Sequence, residues 1–367
     1  MAGSIFGKQF SISTWGESHG KAIGAVVDGC PAGILLENED IQKLLDRRKP
    51  GVSPFATPRK EEDIVDILSG TFEGKTTGTP ISMLIKNRDQ RSEDYDRESY
   101  RPGHADYTYD LKYGFRDYRG AGRSSGRETA ARVAGGAVAK KFLAVLGVDV
   151  RAYTYSIGNV AVTNPDFSIT NHLNMPDETA YNQAAQLAEQ AKQAEDSLGG
   201  EIMCEIFNIP AGIGEPVFSK LEAIIAQAVL SIGAVKGIAF GAGFDAAKMN
   251  GSKHNDIMYM PACRTGRENG AVKKRSNNAG GVYGGISDGS TIFFKAAVKP
   301  TSSIGQTQDT INNRHENIKL TISGRHDPLI VPRAVVVVEA MAALSIADLI
   351  LQGLSANVET VKRAFFR

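Results

Sequence analysis

The chain has 367 residues, 42% of them hydrophobic, with 42 basic and 41 acidic side chains and a formal net charge of +1. That length admits one large domain or two ordinary ones, and the apolar share is enough for a substantial core. The near-neutral balance excludes a protein drawn by overall charge to nucleic acid or an anionic membrane, so any anion binding must be local. Cys30, Cys204 and Cys263 are odd in number and widely spaced, with no CxxC pair. They read as reduced thiols, neither a disulfide framework nor a zinc site. The first seven residues lack a basic stretch followed by an apolar one. No apolar run approaches the ~20 residues of a membrane helix. The expectation is a soluble cytoplasmic protein.

In chain order, residues 10–13 read as a strand that ends in the turn Gly16-Glu17-Ser18-His19-Gly20, and residues 22–27 resume as a strand. From residue 38 or 39 to 47 the spacing of Ile41, Leu44 and Leu45 predicts an amphipathic helix, stopped at Arg47-Arg48-Lys49-Pro50-Gly51. Residues 64–68 and 81–85 have strand character, and residues 86–97 form a polar loop. A small-residue helical run covers 130–139. Residues 177–198 and 220–230 read as helices, the second leading into Gly237-Ile238-Ala239-Phe240-Gly241, and 201–207 and 290–298 read as strands. Residues 263–281 read as a mobile polar loop, and 335–350 as a closing helix. Strands and helices alternate irregularly and no βαβ unit of the nucleotide-binding kind is visible, which places the chain in the α+β class.

The chemistry concentrates between residues 101 and 127. Arg101, Arg116, Arg119, Arg123 and Arg127 lie there with His104, Ser124, Ser125 and several glycines, just before a helix. Arginine forks suit phosphate and carboxylate, glycine allows close backbone approach, and a helix start adds a favourable dipole. The pattern predicts a site for a small, multiply charged anion, with His104 placed to move a proton. His19, in its turn, can serve as a general acid. The same five residues fit Gly-x-Ser-x-Gly with Ser18 as nucleophile, but a nucleophile elbow needs a helix immediately afterwards and residues 22–27 read as a strand. Arg47 and Arg48 together exceed what a helix dipole requires and predict a clamp on a second anionic group. Lys299-Pro300-Thr301-Ser302-Ser303, approached by the glycine-rich stretch through Gly284, reads as a hydroxyl-lined ligand wall. Arg325, His326 and Asp327 offer an anion contact and a proton acceptor in one turn. The P-loop spacing is absent; residues 70–76 fall one residue short. No HExxH occurs and no two histidines stand four apart, so no metal site is expected.

Several of these stretches together resemble the chorismate synthase family. The resemblance rests on Gly16-Glu17-Ser18-His19-Gly20 through Pro31, Gly122-Arg123-Ser124-Ser125-Gly126-Arg127-Glu128-Thr129, and Arg325-His326-Asp327-Pro328 leading to Val338-Glu339-Ala340. Arg101-Pro102-Gly103-His104-Ala105-Asp106 and Lys299 to Ser303 also match, and the likeness runs from the first ten residues to about Ala343. It implies a lyase of the shikimate pathway, the route to aromatic amino acids. Such an enzyme converts 5-enolpyruvylshikimate 3-phosphate to chorismate by 1,4-elimination of phosphate and a ring hydrogen. It implies dependence on reduced FMN with no net redox change, a single β-α-β sandwich domain over residues 1–367 with helices layered between antiparallel sheets, and a homotetramer.

By the same resemblance, Arg48, Arg127 and Arg333 should bind substrate. Arg123, Ser124, Ser125, Gly233, Ala234, Gly284, Lys299, Pro300, Thr301, Ser302, Ser303 and Arg325 should bind FMN. His19 is expected at the leaving phosphate, His104 at the flavin to hold its protonation state, and Asp327 where the ring hydrogen is taken up. Some relatives carry an arginine, linked to nicotinamide phosphate, where this chain has Pro54. Flavin reduction is therefore expected from a separate reductase. An ordinary flavin oxidoreductase, a phosphatase and an RNA-binding module built on residues 116–127, with Tyr113, Phe115 and Tyr118 as stacking faces, are the competing readings.

Overall fold

The computed structural model describes residues 3–49, 51, 61–88, 96–260, 272–322 and 327–366. Its first sheet holds β1 (Ile5–Phe6), β2 (Ser11–Gly16), β3 (Ala22–Asp28), β4 (Val65–Ile67) and β5 (Ile81–Lys86), in the spatial order β1-β2-β3-β5-β4 and antiparallel throughout. Ile23, Ala25 and Val27 on β3 and Ile81, Met83 and Ile85 on β5 are all fully buried. Their two-residue spacing turns one apolar face of the sheet to the core. Between β3 and β4 runs α1 (Asn38–Arg48), started by a capping box of Glu37 and Asp40.

Two helices come next. The short α2 (Asp106–Tyr113) ends on Gly114, and α3 (Thr129–Val145) follows two single 3₁₀ turns at Gly122–Ser124 and Gly126–Glu128. The second sheet is built from β6 (Asp149–Ile157), β7 (Val160–Ala161), β8 (Gly200–Phe207), β9 (Val235–Phe240) and β10 (Ile292–Val298), ordered β9-β10-β8-β6-β7 and again antiparallel. Here Ile202, Cys204 and Ile206 align with Ala296, Phe294 and Ile292 on the buried face. Between its strands lie α4 (Glu178–Gln193) and α5 (Leu221–Leu230). After β10 come α6 (Val331–Gln352) and α7 (Val358–Phe365).

Helices α3 and α6 pack on each other between the sheets, α3 against the first and α6 against the second, with α1 alongside both. One continuous cluster of buried side chains runs from Ile23 and Ile81 through Val133 and Val338 to Ile202 and Phe294. The architecture is of the α+β class read from the residues and is the β-α-β sandwich that the resemblance implies. Gly135 and Gly136 let α3 sit this close to both neighbours. A Cβ on Gly135 would strike Ile12 of the first sheet, and one on Gly136 would strike the Cβ of Ala340 on α6 and lie 2.6 Å from its Cα.

Three expectations need correction. The stretch Val331–Ser355 is long and apolar enough by composition to cross a membrane, contrary to the reading that no run approaches that length. It is nonetheless the central core helix, with 83% of its most apolar window buried inside the protein. The helix placed at residues 177–198 stops at Gln193, because Glu195 takes a left-handed backbone. Of the loop read as mobile, residues 272–281 are held in place: Asp256 accepts hydrogen bonds from the backbone of Asn278 (2.7 Å) and Ala279 (3.0 Å) and from Ser276. The rest of that loop, Cys263 included, lies outside the described residues, as do Pro54, Arg325 and His326.

Candidate active site

A cavity of about 520 Å³ opens where the two sheets and the central helices meet. Its wall is made by Ser18 and His19 of the β2–β3 turn, by Arg48 at the end of α1, by Arg101, Gly103, His104 and Ala105, by Gly120, Ala121, Ser124, Ser125, Gly126 and Thr129 leading into α3, by Ile232 to Ala234, by Lys299 to Ser303 and by Asp327, Ile330 and the first turns of α6. Ser124, Ser125, Gly126 and Thr129 bring the N-terminus of α3 to the cavity, where backbone N–H groups and the helix dipole favour an anion. Ile232, Ile330, Ala334 and Val337 supply an apolar wall beside them.

The arginine-rich segment turns out to be mostly self-organising. Arg101 grips Asp106 with two hydrogen bonds of 2.8 Å and also donates to the Gly120 carbonyl. Arg116 adds Asp110 (2.9 Å) and a longer contact to Asp106 (3.5 Å), and Arg119 folds onto Asp117. Arg123 points into β2, donating to the carbonyls of Gly16 (3.0 Å) and Thr14 (3.1 Å). Of the five, only Arg101 lines the cavity. The composition therefore located the site, but most of its guanidinium groups hold the loop in shape. Arg47 likewise leaves the anion clamp expected of it: it forms a bidentate pair with the buried Glu339 (2.9 and 3.1 Å), which Lys140 also contacts.

The two histidines face the same space. His19 is 7% exposed and packs beneath Gly120. A Cβ at Gly120, whose φ is +72°, would lie 2.8 Å from the His19 ring and 2.9 Å from Ser18 Oγ, so only glycine fits. The Nδ1 of His104 stands 2.9 Å from the Pro102 carbonyl and its Nε2 2.9 Å from Ser303 Oγ. A carbonyl only accepts, so Nδ1 carries the proton and Nε2 accepts from the serine hydroxyl. Burial, and then the nearby Arg101 charge, push His104 below its ordinary 6.5 and keep the ring neutral.

A cationic wall stands opposite. Arg48, 2% exposed, donates through Nε (3.1 Å) and Nη2 to Oδ2 of Asp63, and Arg127 donates through Nη1 to Oδ1 of the same carboxylate. Arg333 pairs with Asp327 (2.7 Å) and donates to the Arg48 carbonyl (3.2 Å). Burial first, then the charges of Arg333 and Arg127 against the opposing pull of Asp63, bring Arg48 down to about 10. The cavity lining itself sets four cationic side chains, Arg48, Arg101, Lys299 and Arg333, against the carboxylate of Asp327, a balance that suits an anion.

Of the residues named from the sequence, the cavity gathers His19, His104, Asp327, Arg48, Arg333, Ser124, Ser125, Gly233, Ala234 and Lys299, Pro300, Thr301, Ser302 and Ser303. Arg123, Arg127 and Gly284 are not among the described residues that line it, and Arg325 is not described. Gly284 sits in the turn of a ribbon joining Val282–Tyr283 to Ile286–Ser287. Sequence reasoning gave no role in this site to Gly120, to Asp63 or to the apolar wall. The positive-φ glycine has a signal, the Arg-Gly-Ala-Gly-Arg run, whereas Asp63 becomes visible only when two arginines converge on it.

A family model described as chorismate synthase matches residues 10–351. A chorismate synthase of Lachnoclostridium phytofermentans is 57% identical, covering 100% of both chains. One from Methanosarcina mazei is 49% identical over 98% of this chain and 100% of its own. In three dimensions the chain is similar to a crystal structure of chorismate synthase, with 32% identity, a TM-score of 0.75 and coverage of 98% of this chain and 97% of that one. The chain belongs to the chorismate synthase family.

Proposed function

We propose that this cavity binds 5-enolpyruvylshikimate 3-phosphate beside reduced FMN, and that the elimination of phosphate characteristic of the family takes place there. Membership makes the chain a lyase that forms chorismate. The observation that carries the assignment to this cavity is the cationic surplus on its wall, Arg48, Arg101, Lys299 and Arg333 against Asp327, facing a substrate with one phosphate and two carboxylates. Arg48 and Arg333 then meet the substrate directly. Arg127 acts from behind, through Asp63.

The cavity also fits a flavin. Among the described residues, Thr301 Oγ1 and Ser18 Oγ are buried with no hydrogen-bond partner, and both residues line it. Such orphaned hydroxyls call for a polar ligand. Thr301 lies on the Lys299 to Ser303 strip, with Gly233 and Ala234 beside it, where Lys299 N–H donates to the Ala234 carbonyl at 2.9 Å, and the apolar wall also lines the cavity. Ser124, Ser125, Gly233, Ala234 and Lys299 to Ser303 would hold FMN. Arg325 is retained for it by resemblance, and Arg123 supports it indirectly through β2. Gly284, away from this cavity, is retained on resemblance alone. When bound, reduced FMN supplies electron density transiently while the C–O bond breaks, with no net redox change. His19 donates a hydrogen bond or a proton to the leaving phosphate. Neutral His104, its tautomer fixed by Pro102, holds the protonation state at the cofactor side, and Asp327, steadied by Arg333, aids removal of the ring hydrogen.

Residues 1–367 form one catalytic domain in this reading, supported by the core that runs through both sheets. The assembly is a homotetramer, and exposed Phe115, Phe218 and Phe244 are the kind of side chain subunit contacts bury. The enzyme works in the cytoplasm with FMN reduced by a separate reductase. The Thr301→Val variant tests the flavin site, since valine keeps the shape and removes only the orphaned hydroxyl. Titration followed by the flavin absorbance spectrum should show FMN binding weakened about tenfold, of the order of one lost hydrogen bond. Unchanged affinity would place the flavin elsewhere.

A further inference from the structure

Asp63 stands out among the buried charges that neither the sequence motifs nor the reaction chemistry assigns. It is 2% exposed, and its backbone is left-handed at φ +51°, a region aspartate enters more readily than most residues. This conformation falls two residues before β4. It brings one carboxylate between two guanidinium groups, Oδ2 toward Arg48 and Oδ1 toward Arg127. Arg127 is itself fixed from other sides, by Asn87 Oδ1 at 2.8 Å and the Lys86 carbonyl at 3.3 Å, both at the end of β5. The first sheet thus anchors Arg127, Arg127 anchors Asp63, and Asp63 orients Arg48. Arg48 commits its Nε–H and one Nη2–H to Asp63 and one Nη1–H to the Gly126 carbonyl at 3.4 Å. Among the described residues, one N–H on each terminal nitrogen has no acceptor.

We propose that Asp63 is a positioning residue for substrate binding: its carboxylate, shared between Arg48 and Arg127, fixes how Arg48 presents its two remaining N–H groups to an anionic group of the substrate. The shared carboxylate orients both guanidinium groups at once, and a second buried carboxylate, Glu61, stands 3.9 Å from Arg127 Nη2. The inference rests on the reading that Arg48 meets the substrate.

The test uses the full-length protein and four forms: native, Asp63→Asn, Arg48→Met and the double variant. Equilibrium binding of 5-enolpyruvylshikimate 3-phosphate and, separately, of FMN is measured for each, together with the thermal unfolding midpoint. An asparagine offers one acceptor and turns an N–H₂ toward a guanidinium, so one arginine must swing away. Asp63→Asn should weaken substrate binding more than tenfold and leave FMN binding within twofold. The double variant should bind substrate about as poorly as Arg48→Met alone, because Asp63 acts through Arg48. Native substrate affinity in Asp63→Asn, or losses that multiply in full in the double variant, would overturn the proposal. Should Asp63→Asn fail to fold, Asp63→Glu keeps the charge but displaces it by one methylene, and the same pattern is expected. Native affinity in that variant, or failure of both to fold, would reduce Asp63 to a structural ion-pair partner and overturn it equally. Native-like binding by Arg48→Met alone would instead remove the substrate role of Arg48, and the proposal with it.

Discussion

His104 is held by both ring nitrogens, and that arrangement makes its chemistry testable. Neutral at pH 7, with Nδ1–H on the Pro102 carbonyl, it presents Nε2 as an acceptor to Ser303. Its native pKa lies below 6.5, first through burial and then through Arg101. The sign follows directly. Above 6.5 both folded and unfolded forms are neutral and the group contributes nothing; as pH falls below 6.5 the unfolded chain takes up the proton first, and stability declines until the native ring is protonated too. Turnover should fall over the same acid range, and His104→Ala should abolish that limb while lowering kcat by on the order of 10²–10⁴-fold. A variant that kept kcat and lost only substrate affinity would contradict the role given to His104. At this scale the sequence revealed the reactive groups well, because histidine, serine and glycine in turns carry a chemical meaning of their own. It revealed the arginines less well. Arg101, Arg116, Arg119, Arg123 and Arg127 look equivalent in composition, and only the fold shows which carboxylate or carbonyl claims each.

The central pair of helices is where an element-level account can fail or stand. Gly136 lies against Ala340 so closely that helix backbones, not side chains, set the spacing of α3 and α6. Alanine normally favours a helix over glycine by ~1 kcal/mol. Here its methyl would be 2.6 Å from the Ala340 Cα, and overpacking of a rigid core costs about 1–3 kcal/mol. Gly136→Ala is therefore expected to lower the urea midpoint with an unchanged slope, and a raised midpoint would show that the helices can separate cheaply. The glycine pair sits in a run that was read as helix from its small residues, yet its purpose depends on Ile12 and Ala340, far away in sequence. The helix at α1 and the strands β3, β5, β8 and β10 were legible from their periodicity. Strand β6 was not read, although Val150, Tyr153, Thr154, Tyr155 and Ile157 favour one, because both of its faces carry buried side chains and the alternation is blurred. Helix α2 was hidden by its aromatic and acidic residues, which do not form an apolar stripe.

The molecule as a whole is two antiparallel sheets closed over helices, with the cavity where turns from both sheets meet the N-termini of α3 and α6. Tying the N-terminal loop to this frame, Asp348 on α6 accepts from the backbone N–H groups of Lys8, Gln9 and Phe10 at 2.7–3.0 Å. No periodicity could have foretold this layering. It follows from which faces are apolar, and from the two glycines that let the layers close. The central proposal, elimination that needs a reduced flavin but does not consume it, belongs to the scale of the whole molecule. It is tested most directly by an anaerobic assay with 5-enolpyruvylshikimate 3-phosphate, following phosphate release and the diene absorbance of chorismate with reduced FMN, oxidised FMN or no flavin. Phosphate and diene in equal amounts, only with reduced FMN and over many turnovers per flavin, is the predicted result. Phosphate without the diene, or one flavin oxidised for each product formed, would contradict it.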